Sequence, residues 1–282
     1  MKMHILFASI LVHALVFSVI LPILPACNAR ACFSLGSTAG YGDCPEELEL
    51  ASSVALYIAC LAALRGWENV QNYYGAETTS LRIAGCASGY GDDYAISFYS
   101  GHGFAMEYYG GYHSYITDNF GNRVWDWYLH QFTFERNTRF AFIWSCYQGY
   151  EIGGYYDGMG VYAPHGMPLA WLHTTNLDID GYAGTPYGDQ SCAFIGWDGV
   201  APWLSIEDPT GSGADEAGYN FLLNFYASAL YHQNSLNDAL DNATYAVWGP
   251  SFRTFADCPY YNTWFQRYGY MKVYGNGDLV LP

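Results

Sequence analysis

Apolar residues in this chain fall into runs of two kinds. The longer runs recur at helical spacing. Pro45-Glu46-Glu47-Leu48-Glu49 opens an apolar stretch reaching about Arg65, with acids in its first turn where they suit the helix dipole, and Gly66 stops it. Residues 215–231 set Phe221, Leu222, Phe225, Ala229 and Leu230 near helical spacing. Ser235 caps a further helix over 236–247, striped with Leu236, Ala239, Leu240 and Ala243. Shorter helices are expected over 78–86 and 125–132.

The second kind is short, continuous and rich in aromatic and β-branched residues. Ala95-Ile96-Ser97-Phe98-Tyr99-Ser100, Phe140-Ala141-Phe142-Ile143-Trp144 and Ala193-Phe194-Ile195-Gly196-Trp197 are too short for helices and read as buried strands. A short strand is expected over 69–74, and a closing strand and hairpin over 271–281. The Gly- and Tyr-rich stretches 108–115 and 153–166 read as loops. Strands alternating with helices indicate an α/β fold, and no repeat or polar linker divides it.

Two of these strands end in reactive side chains beside glycine: Ser100-Gly101-His102-Gly103 and Ser145-Cys146-Tyr147-Gln148-Gly149. Neighbouring parallel strands ending this way would bring an imidazole and a thiol to the carboxyl edge of a sheet, where open α/β folds hold their ligands. An imidazole within reach can hold the thiol as thiolate, the form that attacks carbonyl carbon. The chain therefore reads as a cysteine hydrolase, with Cys146 and His102 as its chemistry.

Composition narrows the partners. Ten Lys and Arg against 26 Asp and Glu give a net charge of −16, which argues against nucleic acid and anionic membrane surfaces. Protein or peptide substrates are the expected partners. At the N-terminus, Lys2 precedes an apolar run over 5–23, broken by Pro22 and Pro25 before Ala26 and Ala29. This pattern predicts a signal peptide over 1–29 and a secreted, extracytoplasmic chain over 30–282. A retained anchor and lipidation at Cys27 are the alternatives, the first being the one route to a membrane.

Loss of Cys27 leaves Cys32, Cys44, Cys60, Cys86, Cys146, Cys192 and Cys258, an odd set in an oxidising compartment. Three bridges and a free Cys146 are expected, with Cys86 and Cys192 as bridge partners. No metal-ligand spacing joins His113, His130, His165, His173 and His232. Asn176-Leu177-Asp178-Ile179-Asp180-Gly181 has oxygen ligands for calcium but not the EF-hand register, so no cofactor is expected and calcium is the one alternative.

The two ordered strand-end motifs resemble those of caspase-like cysteine peptidases, the group holding metacaspases, legumains, gingipains and clostripain. Ser100-Gly101-His102-Gly103 is most similar to metacaspases, and the helices around Asn224–Leu230 and Ser235–Leu240 resemble those late in gingipain- and clostripain-like domains. The resemblance covers about Cys44 to the C-terminus. It implies a three-layer α/β sandwich with a mostly parallel central sheet. It also implies Cys146 as nucleophile, His102 as proton-transfer partner, and the N–H groups of Gly103 and Cys146 as oxyanion hole. The strand after the nucleophile lines the specificity pocket in that group. Here it ends Gly196-Trp197-Asp198-Gly199, so Trp197 and Asp198 are the substrate-binding candidates, and a carboxylate at Asp198 would select Arg or Lys. The chain departs from the group in having no clear opening strand before residue 46 and Ser145 before the cysteine. Two rival readings stand beside the peptidase: a non-catalytic extracellular interaction or carbohydrate-binding protein on this scaffold, and a glycosidase using paired acids.

Overall fold

A computed structural model describes residues 45–67, 70–89, 94–108, 111–133, 138–149, 153–156, 162–173, 191–205, 216–249, 259–262 and 267–282. The expected signal peptide with Cys27 and Ala29, together with Cys32, Cys44, Cys258 and the 176–181 stretch, lies outside the described residues.

The described elements open with α1 (Pro45–Leu64), a 3-10 turn (Gly75–Glu77) and α2 (Ser80–Ser88), followed by β1 (Ala95–Ser100). A three-stranded antiparallel sheet follows: β2 (Gly103–Tyr108), β3 (Gly111–Thr117) and β4 (Arg123–Trp125). Next come α3 (Asp126–Phe132), β5 (Thr138–Trp144), the hairpin β6 (Gly153–Tyr156) and β7 (Tyr162–His165), α4 (Met167–Leu172) and β8 (Ala193–Gly199). The last elements are α5 (Ala217–Tyr226) with a π-helical extension (Ala227–Tyr231), α6 (Leu236–Trp248), β9 (Pro259–Asn262) and β10 (Arg267–Gly275).

Among the described residues, five strands form the central sheet in the order β1-β5-β8-β10-β9. β1, β5 and β8 pair in parallel, β10 runs antiparallel to β8, and β9 antiparallel to β10, so only β10 opposes the common direction. The period-2 alternation of a strand sorts its side chains onto two faces. Ile96, Phe98, Phe140, Phe142, Trp144, Ile195 and Trp197 meet α1, α5 and α6 on one face. Tyr99, Ala141, Ile143, Phe194 and Tyr274 meet α2, α3 and α4 on the other. Strands buried on both faces explain the unbroken apolar runs in the sequence. The architecture is mixed α/β, helices on both sides of a mostly parallel sheet.

Caps follow the expected chemistry. Thr79 accepts from the Arg82 N–H to start α2, and Ser235 accepts from the Asp238 N–H to start α6. Three expectations are corrected. Residues 70–74 form no strand beyond an isolated bridge position. Within 108–115, Tyr108 ends β2 and 111–115 pair with it as β3, and 153–156 and 162–165 pair as the β6–β7 hairpin. The glycine- and tyrosine-rich composition of these strands lacks the apolar run that marks the central ones.

Candidate active site

The parallel ladder sets the site. Ser100 of β1 lies opposite Trp144 of β5, and the Gly101 N–H still donates to the Trp144 carbonyl at 3.3 Å. His102 and Cys146 follow at the carboxyl ends of these adjoining strands. His102 is exposed, and Cys146 is half-buried.

Gly103 sits against the cysteine turn. A Cβ at this position would collide with Ser145 Oγ, Gln148 Nε2 and the Cys146 carbonyl oxygen, so only glycine allows the two strand ends to approach this closely. Antiparallel pairing also directs its N–H. Thr117 N–H donates to the His102 carbonyl at 3.1 Å, which makes Gly103 and Ile116 a non-hydrogen-bonded pair. The Gly103 N–H therefore points off the open edge of β2 rather than into the hairpin.

Cys146 is held by a short irregular turn. Tyr147 adopts the left-handed region at φ 61°, a strained conformation for a bulky residue. The turn is tied to the end of β8: Tyr147 N–H donates to Gly199 O at 2.6 Å, and Gly149 N–H to Trp197 O at 2.9 Å. Gln148 Nε2 bridges the carbonyls of Cys146 (2.6 Å) and Tyr115 (3.1 Å), joining the cysteine turn to the β2–β3 hairpin. Ser114 Oγ makes a second tie, donating to Tyr147 O at 3.2 Å. Ser145 Oγ and Gln148 Oε1 are buried with no hydrogen-bond partner among the described residues. Neither Gln148 nor Ser114 carries a sequence signal, because each acts through an element distant in the chain.

Burial pushes the Cys146 thiol above its ordinary value, an effect only partly offset by the backbone N–H groups of Ala201 and of Cys146 itself. The Ala201 segment is in turn anchored from far away. Trp144 Nε1–H donates to Pro202 O at 2.7 Å, while the buried Glu47 carboxylate accepts from Leu204 and Ser205 N–H, each at 2.8 Å.

The two substrate-binding candidates part company. Trp197 is fully buried, its ring 5.2 Å from that of Trp144, so it supports the nucleophile strand from the core. Strand alternation puts Asp198 on the opposite face, half-buried, with Tyr270 as its register partner. Lys272, opposite Gly196, shares that face diagonally to Asp198. No disulfide joins any two of Cys60, Cys86, Cys146 and Cys192 to each other.

Two further histidine groups lie beside the site's scaffold. His113 Nδ1 is 2.9 Å from Asp126 Oδ1, both buried, and Asp126 also accepts from the Ser114, Trp127 and Gly166 N–H groups. That carboxylate fastens β3, α3 and the start of α4 together. His130 and His173 stack at 4.1 Å, and burial together with His173 lowers His130 to about 4.

On the outer face of the three-stranded sheet, Phe104, Tyr115 and Trp125 are consecutive cross-strand partners. Ring centroids are 5.2 Å apart for Tyr147 and Phe104, 6.3 Å for Phe104 and Tyr115, and 4.8 Å for Tyr115 and Trp125. The Arg123 guanidinium covers Tyr115 and Trp125, at 5.0 and 5.9 Å from their centroids.

No protein-family model matches the chain, and no curated protein matches it.

Proposed function

We propose that the chain is a secreted cysteine endopeptidase of caspase-like architecture, hydrolysing peptide bonds through Cys146 and His102. The observation that carries this reading is the close approach of Gly103 to the Cys146 turn, on parallel neighbouring strands that end in the two reactive side chains.

In the proposed reaction the substrate carbonyl oxygen sits between the Gly103 and Cys146 N–H groups. Cys146 Sγ forms a bond to the carbonyl carbon as its proton passes to the His102 imidazole, and the C=O electron pair moves onto oxygen, where the two donors stabilise it. Collapse restores the carbonyl, breaks the C–N bond, and His102 returns the proton to the departing amine. Water then adds to the thioester, His102 takes its proton, and the acid leaves as Sγ is reprotonated. A thiol whose acidity is weakened by burial suits a mechanism in which proton transfer accompanies attack, with the Ala201 N–H steadying the sulfur as charge develops. Asp198 contributes a carboxylate for a basic residue before the cleaved bond.

The experiment is turnover of a mixed peptide library by the mature protein and by Cys146→Ala and His102→Ala variants. Cleavage by the native chain alone supports the peptidase; equal cleavage by Cys146→Ala removes it. The outward-facing, partly exposed aromatic row favours the second reading, an extracellular binding module, which predicts ligand retention unaffected by Cys146→Ala.

A further inference from the structure

We infer that the row Tyr147–Phe104–Tyr115–Trp125, ending at Arg123, is a substrate subsite for the residues that follow the cleaved bond. It selects a large aromatic side chain close to that bond and a carboxylate further along. The inference rests on the peptidase reading and adds to it which part of the peptide is recognised, and by what.

The first support is position. Tyr147 directly follows the nucleophile, and Phe104 follows the His102-Gly103 pair, so the row starts at the reacting atoms. A histidine that protonates the departing amine stands on the leaving-group side of the bond. The hairpin that continues from His102 therefore runs beside the peptide downstream of the bond, whereas β8 lies on the far side of the cysteine strand.

The second support is the outward direction of these rings. Alternation along β3 and β4 buries Ile116 and Val124 against the core and turns Tyr115 and Trp125 outward. Phe104, in the same outward row, is 45% exposed. With Phe104 exposed and Tyr115, Trp125 and Tyr147 half-buried, the row offers a partly open aromatic face that favours a ligand with its own apolar rings. The Tyr147 backbone is strained at φ 61°, and the ring borne by this turn meets Phe104 edge to face. Strain of this kind gathers where a side chain's direction matters to function.

The third support is charge. Arg123 is exposed, and among the described residues its recorded contacts are the two ring faces, with no carboxylate. Three strands span about 10 Å, the rise of roughly three extended residues. A carboxylate about three residues beyond the aromatic side chain would reach the guanidinium in the geometry suited to a bidentate pair.

Internally quenched peptides of one sequence test this, with Phe or Ala just after the cleaved bond and Glu or Gln three residues beyond. The native chain should favour the Phe peptide about tenfold in kcat/KM. That ratio should fall to about two in Phe104→Ala and be restored in Phe104→Tyr. Arg123→Gln should erase the Glu-over-Gln preference and leave the Phe-over-Ala ratio in place. An unchanged ratio in Phe104→Ala overturns the subsite while leaving the peptidase standing. Failure of the native chain to cleave any peptide overturns both. Retardation of the native chain in polysaccharide gels, lost in Phe104→Ala while the peptide ratio persists, would assign the row to glycans and overturn the proposal.

Discussion

Ser100 and Trp144 face each other in the parallel β1–β5 ladder, so the chain leaves both strands at one edge, with His102 and Cys146 each two residues beyond this pair. Gly103 then packs against the cysteine turn, the place of a side chain there being taken by Ser145 Oγ, Gln148 Nε2 and the Cys146 carbonyl. These two facts, one of register and one of steric exclusion, organise everything proposed for the site.

Gly103 gives the first prediction. Its φ does not require glycine, but the space does, so Gly103→Ala must push the cysteine turn away from β2. Turnover should drop by about 10²-fold or more, the loss typical of a displaced oxyanion donor. Thermal unfolding and turnover measured together check it. Normal turnover with normal stability would mean that the approach is unimportant.

The Cys146 thiol gives the second. Its acidity is weakened by burial, so reaction with iodoacetamide should keep rising with pH through and beyond the ordinary thiol value of 9.0. The rate-against-pH profile of single-site alkylation measures this directly. A plateau reached below neutrality would show a resting thiolate instead.

The stacked histidines give a pH dependence of stability. His130 is held down to about 4 by burial and by His173, with Asp126 pulling the other way, against an ordinary value of 6.5. The unfolded chain therefore binds this proton more readily than the folded one. The contribution is complete above about pH 6.5 and is lost as pH falls through that value toward 4. Discounted for partial exposure, the loss is about 1–2 kcal/mol. Urea unfolding at pH 7 and 4.5 should show a smaller drop in His173→Gln than in the native chain. Equal drops would show that the pair does not couple.

Much of this was readable in the sequence because it is local. Ala95–Ser100, Thr138–Trp144 and Ala193–Gly199 are apolar on both faces and bounded by glycine or polar residues, so their strand nature and their reactive ends are visible without partners. Ser235 and the stripe of α6 are equally local. What escaped is relational. Tyr112 and Tyr115 belong to an edge hairpin whose pairing partner, not its own composition, makes it a strand. Trp197 looked like a pocket residue, yet its strand parity turns it toward Trp144 and Phe221 in the helix-facing core. Gln148 matters only because Tyr115 lies against it, and Glu47 only because Leu204 and Ser205 fold back 157 and 158 residues later.

Mass mapping of a peptide-based, thiol-directed electrophile on the mature protein tests the central claim most directly. A single adduct on Cys146, with Cys60 left unmodified despite its exposure and labelling strongly slowed in His102→Ala, is the predicted result. Labelling spread over several cysteines, or a rate indifferent to His102, would contradict it.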